Sequence, residues 1–253
     1  MRPICTIPFA GIMILAGLSF SITGSKPIKE EPEGEPGFAV IELFTSEGCS
    51  SCPPADELAI TLSKEYMSNV YFLGYHVDYW DHLGWKDKFS KAGYTERQRQ
   101  YASSFNLNSI YTPQVVVNGK KEFVGSDQNR LRKTIGEELM TKPNGDIKLT
   151  AKLNKDTVLV SYTTSVSGKN FLKIALVQIH AETPVKRGEN SGRYLKHINV
   201  VREIQSPGID KKTDGETNFK IPGDLIPSNI KFIAFIQDKN NLNIIAATDA
   251  TIQ

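Results

Sequence analysis

The stretch "ELFTSEGCSSCPPADEL", Glu42 to Leu58, places Cys49 and Cys52 between an apolar run and a segment with helical spacing. The run "FAVIELF", which begins at Phe38, is short and apolar, as is typical of a buried strand. A second run of this kind, "VYFLGYHVD", follows the helical segment and ends at Asp78. The order strand, helix, strand predicts a right-handed parallel unit with the paired cysteines at the start of its helix.

The next part of the chain continues this pattern up to about residue 142. A long excursion after Asp78 ends in a predicted helix, where Thr95 and Gln98 have the spacing of a capping box. The stretch "YTPQVVVNGKKEFVGSD" contains two apolar runs around an Asn-Gly pair, which predicts a tight hairpin. The stretch "SDQNRLRKTIGEELM" then has the apolar spacing of a closing helix.

After "TKPNGD", Thr141 to Asp146, the apolar period changes from helical to alternating. Seven strand-like runs follow, separated by Gly, Asn, Asp and Pro turns, which favours an all-β sandwich. The pattern therefore predicts an α/β N-terminal domain, residues 38–142 with a helical insertion, followed by a β-sandwich-like C-terminal domain, residues 145–253.

The first residues have the pattern of an export signal. Arg2 supplies one positive charge, and an uncharged apolar stretch runs from Ile4 to Ile22. This predicts a signal peptide over residues 1–24, or alternatively an uncleaved N-terminal membrane anchor. Residues 25–37 are rich in Pro, Gly and Glu, as a flexible linker is. We expect an exported protein that is periplasmic, or anchored and facing the periplasm, with Cys5 in the discarded segment.

Composition gives no sign of a nucleic-acid partner. The chain has 30 Lys and Arg against 28 Asp and Glu, a net charge of +2, and its basic runs are short and scattered. A nucleic-acid-binding domain normally carries a basic patch or stripe. We therefore predict no nucleic-acid partner, and no membrane contact other than a possible N-terminal anchor.

Cys49 and Cys52 are predicted to be redox-active. At the start of a helix, a thiolate meets unpaired backbone N–H groups and the positive end of the helix dipole. Ser50 and Ser51 can support it by donating hydrogen bonds, while Glu47 would oppose it. Export adds to this prediction, because disulfides persist outside the cytoplasm.

Two other interpretations of the pair stay open. A silent structural disulfide closing so short a loop would add about 2 kcal/mol of stability. Alternatively, Cys49 and Cys52 could hold copper together with His76 and His82 from "HVDYWDHLGW", because two thiolates and an imidazole suit copper or zinc. The first prediction needs no cofactor, whereas the last one makes the protein a copper-binding module.

The order of elements, together with Thr112 and Pro113 before the hairpin, resembles the thioredoxin fold. The resemblance implies that the α/β N-terminal domain is thioredoxin-like, and that the β-sandwich-like C-terminal domain follows it. More narrowly, the motifs "ELFTSEGCSSCPPADE", "YHVDYWDHLGWKDKF", "YTERQRQYA" and "YTPQVVVNG" resemble an uncharacterised family of exported bacterial thioredoxin-like proteins, known as a domain of unknown function. The resemblance implies a cis peptide bond before Pro113, beside the cysteines, and a substrate-binding role for Thr112 and Pro113. It also implies that Cys49 is the exposed nucleophile.

Pro53 and Pro54 depart from ordinary thioredoxins, since they predict that Cys52 caps the helix and that Pro53 opens it. Which cysteine attacks therefore stays open on the residues alone. The expected function is thiol-disulfide oxidoreductase activity on protein substrates, with an unidentified redox partner. In the second half, His180, His197, Glu189 and Arg193 are scattered along the sequence and predict no second active site.

Overall fold

The computed structural model describes residues 1, 3, 36–209 and 212–253. The predicted signal peptide or anchor and most of the predicted linker, with Cys5, lie outside the described residues. Among the described residues, no helix is both long enough and apolar enough to cross a membrane.

The first half of the described chain contains four strands and three helices in the predicted order. These are β1 (Ala39–Thr45), α1 (Pro53–Glu65), β2 (Val70–His76), α2 (Ala92–Ser104), β3 (Gln114–Val117), β4 (Lys121–Val124) and α3 (Gln128–Leu139). The hairpin between β3 and β4 turns at Asn118 and Gly119, whose φ angles are 49° and 65°. The tight hairpin predicted from the Asn-Gly pair is confirmed, because these residue types tolerate positive φ.

The second half contains seven strands, one at each of the seven strand-like runs. These are β5 (Ile147–Asn154), β6 (Thr157–Thr164), β7 (Asn170–Pro184), β8 (Tyr194–Gln205), β9 (Asp214–Lys220), β10 (Ile230–Asp238) and β11 (Ile244–Thr251). The existence of these strands was predictable, but their partners were not.

The predicted fold class is wrong, because strands of both halves share one sheet. The large sheet has eight strands in the order β11-β10-β7-β8-β2-β1-β3-β4, and the small sheet has three in the order β5-β6-β9. Strand β1 is parallel to β2 and antiparallel to β3, and β2 is parallel to β8. The chain is thus mostly β, with a large mixed sheet, and is not an α/β thioredoxin domain followed by a separate β-sandwich. The boundaries near residues 142–145 stay a prediction.

A glycine in β2 explains how β8 joins the first half. Gly74 pairs with Val200 of β8. A Cβ atom at Gly74 would lie 3.3 Å from the carbonyl oxygen of Ile198 and 3.7 Å from Val200 Cα. A glycine inside a strand often marks such a close approach of another backbone. Because β8 closes on β2 here, the edge that the predicted N-terminal sheet would have left open is covered.

The large sheet is buried on both faces where the two halves meet. In β10, Phe232, Ala234 and Ile236 pack toward the small sheet. The alternate residues Ile233 and Phe235 join a core shared with β1, β2 and α2. Helices α1 and α3 cover the other face of β1 and β3. The unbroken apolar run "FIAFI" within β10, Phe232 to Ile236, fits this burial on two faces better than it fits a sandwich with one solvated face.

Candidate functional site

The paired cysteines lie in the turn between β1 and α1, residues 46–52, which we call the cysteine turn. They form a disulfide. Their Cα atoms are 5.4 Å apart. The Cys52 backbone N–H donates to the carbonyl oxygen of Cys49 at 3.2 Å. Cys52 is the N-cap residue of α1, and Pro53 opens the helix, as the sequence predicts. Pro53 suits this position because a proline lacks the N–H that the first helical turn leaves unpaired.

Both cysteines are fully buried, with 0% of either residue exposed. The two residues between them, Ser50 and Ser51, are exposed. The resemblance implies that Cys49 is an exposed nucleophile, but in this disulfide-bonded state Cys49 is buried. A substrate sulfur can reach Cys49 only after the surrounding side chains move.

Ser51 connects the disulfide to the Thr112–Pro113 step, which has a cis peptide bond. Ser51 Oγ lies 3.3 Å from Cys49 Sγ and donates to the Thr112 carbonyl oxygen at 3.4 Å. The Thr112 hydroxyl accepts a 2.9 Å hydrogen bond from Trp80 Nε1. The fold thus brings together all six residues that the sequence singled out as catalytic, substrate-binding or supporting: Cys49, Cys52, Ser50, Ser51, Thr112 and Pro113.

A second tryptophan, Trp85, hydrogen-bonds a residue of the turn. Trp85 Nε1 donates to Glu47 Oε2 at 2.8 Å. Glu47 is fully buried and its other carboxylate oxygen, Oε1, has no hydrogen-bond partner. Trp80 thus hydrogen-bonds the Thr112 side chain, and Trp85 hydrogen-bonds a side chain of the cysteine turn itself.

A buried cluster of two histidines and three carboxylates lies next to this turn. It consists of Glu47, Asp56, His76, Asp87 and His197. His76 Nδ1 is 2.6 Å from Asp87 Oδ2, and His197 Nδ1 is 3.1 Å from Asp56 Oδ1. The two imidazole rings meet edge to face with centroids 4.7 Å apart. Sequence reasoning missed the cluster because His197 comes from β8, whose place beside β2 was not predicted.

Charge and burial oppose each other within the His76–Asp87 pair. Burial disfavours the charged imidazolium, but the charge and hydrogen bond of Asp87 outweigh it, so the pKa of His76 is raised. Burial likewise disfavours the Asp87 carboxylate, but His76 and the backbone N–H groups of Glu47 and Phe89 outweigh it, so the pKa of Asp87 is lowered. Asp87 therefore ties a buried ion pair to the backbone of the cysteine turn through the N–H of Glu47.

An open cavity of about 410 Å³ lies between α1 and β8, beside Pro53. Asp56 and His197 of the buried cluster reach its wall, and Lys196 and Tyr194 form part of it. The cavity is thus lined by Pro53, the residue after Cys52, and its wall includes two members of the buried cluster.

The loop between β7 and β8 reaches over the same turn. Asn190 is fully buried, and its Nδ2 donates to the carbonyl oxygens of Glu47 and Cys49 at 2.9 Å each. Glu189 is exposed, and its Oε2 accepts from the Ser50 backbone N–H at 3.1 Å. Sequence reasoning treated Glu189 and His197 as scattered; both are brought to the cysteine turn by the pairing of β8 with β2.

The residues of the predicted copper site are not brought together in this way. His76 is buried and engaged through Nδ1 with Asp87, while His82 is exposed on the following loop. In the part of the chain that the structure describes, no group of three or more His, Cys, Asp or Glu side chains has a metal-holding arrangement. The copper interpretation gains no geometric support from these positions.

The comparisons with known proteins identify a family but no activity. A family model described as "Protein of unknown function (DUF1223)" matches residues 40–237. The chain belongs to the DUF1223 family. The predicted membership of an uncharacterised family is confirmed, although the match says nothing of thioredoxin-like character. No curated protein matches this DUF1223 sequence at a significant level.

Solved structures resemble this DUF1223 chain over most of its length. A crystal structure of an Agrobacterium tumefaciens protein from a structural genomics programme has 26% identity and a TM-score of 0.67, covering 85% of this chain and 94% of its own. HBP35 of Porphyromonas gingivalis has 17% identity and a TM-score of 0.57, covering 87% of this chain and 77% of its own. At that identity, the second likeness concerns the fold alone.

Proposed function

We propose that the protein is an exported thiol-disulfide oxidoreductase that acts on protein substrates through Cys49 and Cys52. The observation that carries this proposal is the position of the disulfide, at the N-terminus of α1 and joined by Ser51 to the cis Thr112–Pro113 step. The proposed likeness to thioredoxin-like oxidoreductases is confined to this site and does not extend to the fold class. Export rests on the sequence of residues 1–24.

Two features of the turn favour a thiolate at Cys49 once the pair is reduced. The N-terminus of α1 contributes about 0.3 to 1 kcal/mol, which is less than one pKa unit. The Ser51 hydroxyl lies 3.3 Å from Cys49 Sγ and can turn its single proton from the Thr112 carbonyl oxygen to the thiolate. A hydrogen bond to a charged group contributes about 1.5–3 kcal/mol, which exceeds the about 0.5–1.5 kcal/mol of the neutral bond that it replaces. The helix N-terminus acts on both cysteines, because Cys52 is its N-cap residue, whereas the Ser51 contact is to Cys49 Sγ. On that contact we assign the attack to Cys49 and the resolving role to Cys52.

The exchange then proceeds in two balanced steps. The Cys49 thiolate attacks one sulfur of a substrate disulfide; the Cys49–substrate bond forms, and the displaced substrate sulfur takes up a proton. Cys52 then loses its proton and attacks Cys49, which restores the Cys49–Cys52 disulfide and releases the second substrate thiol. The substrate gains two electrons, and a dithiol partner returns the pair to its reduced form. The reverse sequence oxidises a substrate dithiol.

We assign the substrate chain to the surface beside Thr112 and Pro113. An extended peptide placed there lies next to Ser51 and Trp80, which hydrogen-bond the Thr112 carbonyl oxygen and the Thr112 hydroxyl respectively. Ser50 and Ser51 are the exposed residues of the turn that such a peptide meets first. The full burial of Cys49 means that the peptide must displace part of this surface before exchange.

A silent structural disulfide is the second candidate, and that same burial is the observation in its favour. A disulfide whose sulfurs never meet a substrate would be as buried as this one. It predicts that the pair in the folded protein resists exchange with small thiols and with protein disulfides. The oxidoreductase proposal predicts the reverse, so the two are separable by experiment.

The test is insulin reduction in the presence of dithiothreitol, together with trapping of mixed disulfides. The wild type should accelerate reduction, and both Cys49→Ser and Cys52→Ser should abolish the acceleration. Cys52→Ser should accumulate mixed disulfides with a protein substrate, whereas Cys49→Ser should not. A wild type without activity in reduction and in isomerisation of scrambled disulfides would refute the proposal, and trapping by Cys49→Ser alone would reverse the two roles.

A further inference from the structure

The loop between β7 and β8 has a defined conformation, which its own backbone hydrogen bonds stabilise. We call residues 186–193 the β7–β8 strap. Its two ends are joined by backbone hydrogen bonds of 2.9 Å, from Val185 N–H to the Arg193 carbonyl and from Gly192 N–H to the Val185 carbonyl. Gly188 and Gly192 have φ angles of 74° and 81°, which only glycine adopts at little cost. The strap therefore holds its side chains in fixed positions.

Asn190 anchors the strap to the cysteine turn. Its amide donates to the carbonyl oxygens of Glu47 and Cys49, and the residue is fully buried. Gly188 packs against Trp85, since a Cβ atom there would lie 3.0 Å from Trp85 Cβ. These contacts fix the distance between the strap and the turn before any substrate arrives.

Glu189, next to this anchor, presents its carboxylate to the turn. Its Oε2 accepts from the N–H of Ser50, the residue after Cys49. The hydrogen bonds from the Ser50 side chain and backbone lower the pKa of Glu189, so the carboxylate is ionised at neutral pH. A negative charge thus stands beside the positive end of α1, where a thiolate of Cys49 would form.

We propose that Glu189 is a positioning residue that sets the redox balance of the Cys49–Cys52 pair. Its charge disfavours the Cys49 thiolate and therefore favours the disulfide over the reduced pair. This inference rests on the proposed function and adds a direction to it. With Glu189 present, the protein is a better reductant and a poorer oxidant than the cysteine turn alone would be.

The chemistry follows from the reduction of the pair by a dithiol. Two electrons and two protons enter, the Cys49–Cys52 bond breaks, and the reagent becomes a disulfide. Near neutral pH, a fraction of the reduced protein loses the Cys49 proton to solvent, and this ionisation stabilises the reduced form. A neighbouring carboxylate reduces that fraction, so less of the stabilisation remains.

Other titratable groups near the turn are the same in the wild type and in a Glu189 variant. They are Glu47, Asp56, His76, Asp87 and His197. Glu189→Gln keeps an oxygen that can accept from Ser50 N–H and removes the charge alone. Glu182→Gln is the matched control, because Glu182 is an exposed acid of β7 that pairs with Lys196 and Tyr194, and its loss changes the net charge equally.

The experiment measures the equilibrium constant of the purified protein with a series of glutathione redox buffers. We expect Glu189→Gln to shift the constant about threefold toward the reduced pair, which raises the potential by about 14 mV. The thiolate absorbance at 240 nm should give a lower pKa for Cys49 in Glu189→Gln. Both differences should shrink in 1 M salt, because the carboxylate is exposed to solvent. Glu182→Gln should match the wild type in both measurements.

A Glu189→Gln variant that matches the wild type in both potential and thiol pKa would overturn the inference, as would a shift toward the disulfide. These results leave the proposed function intact if the wild type still reduces insulin. A wild type that does not exchange with glutathione would instead refute the proposed function. The 240 nm titration after strong reduction would then test the effect of Glu189 on Cys49 separately.

Discussion

The Asp87→Asn substitution tests how firmly the buried cluster supports the cysteine turn. The Asp87 carboxylate is 0% exposed and accepts from the backbone N–H groups of Glu47 and Phe89 at 2.9 Å each, besides its contact with His76 at 2.6 Å. Asparagine keeps the volume but loses the charge, and its amide group must face one of these donors. Breaking a buried ion pair on one side costs about 3–5 kcal/mol of the free energy of unfolding.

The pH dependence of this loss has a defined sign. The pKa of His76 is raised above 6.5, so its stabilisation is complete below pH 6.5 and is lost as pH rises through the folded-state pKa. The pKa of Asp87 is lowered below 3.8, so its stabilisation is present above pH 3.8 and is lost as pH falls through its folded-state pKa. The difference between wild type and Asp87→Asn should therefore be largest between these values, near pH 5.

Urea denaturation from pH 4 to pH 9, followed by circular dichroism, measures this difference. Glu65→Gln is the control, because Glu65 pairs with Arg132 on the surface, so its loss should have little effect. A loss for Asp87→Asn below about 1 kcal/mol at pH 5, or one that grows steadily above pH 7, would refute the assignment of a buried ion pair.

Three further predictions, two of them with a matched second substitution, test the sheet, the network between the halves and the site. Gly74→Val should destabilise the protein by about 1–3 kcal/mol, because the new side chain would overlap β8. Gly136→Ala in α3 should stabilise the protein by about 1 kcal/mol, because no atom lies within 4 Å of the new Cβ and alanine favours the helix. Chemical denaturation measures both changes in the free energy of unfolding. Arg97→Ala should lower the free energy of unfolding in urea by about 3–5 kcal/mol, because it leaves the Glu42 charge buried without its partner. Arg99→Ala removes an exposed pair with Glu96 and should lower the same free energy by less than about 1 kcal/mol. Ser51→Ala should raise the pKa of the reduced Cys49 thiol and slow insulin reduction at neutral pH, because the thiolate loses a hydrogen-bond donor; an unchanged thiol pKa would remove Ser51 from the mechanism.

The local structure was predictable wherever a short pattern determines it. The apolar runs gave all eleven strands, and the spacing after Cys52 gave α1 with Pro53 at its start. Asn118 and Gly119 gave the hairpin turn. The resemblance gave the cis Thr112–Pro113 bond and its place beside the cysteines. Each of these depends on residues that are close in sequence or on one motif.

The sheet assignment was not predictable in the same way, because it depends on contacts between distant residues. Gly74 was a signal, since a glycine inside the apolar run "VYFLGYH" marks a close backbone approach, but nothing local names β8 as the partner. The unbroken apolar run Phe232 to Ile236 within β10 was another signal of burial on two faces. Once β8 was misplaced, His197, Glu189 and Asn190 could not be recognised as parts of the site.

The buried network of Glu42, Arg97, Tyr101 and Gln237 illustrates the same limit. Arg97 Nη2 donates to Glu42 Oε1 at 2.8 Å, and Gln237 Nε2 donates to the Tyr101 hydroxyl at 2.8 Å. The network therefore joins β1, α2 and β10, which belong to both halves of the chain. None of these residues indicates by its type alone that it is buried. Only the fold shows that they satisfy one another's hydrogen-bonding groups.

The most direct test of the central claim is a redox titration of the folded wild-type protein against glutathione. The protein is equilibrated at a series of potentials, the free thiols of Cys49 and Cys52 are alkylated and counted, and circular dichroism follows the fold in the same samples. The proposed function predicts one reversible two-electron transition with the fold retained in both forms. A disulfide that stays oxidised at potentials down to about −300 mV, or that is reduced only when the protein unfolds, would contradict it and identify the pair as a structural link.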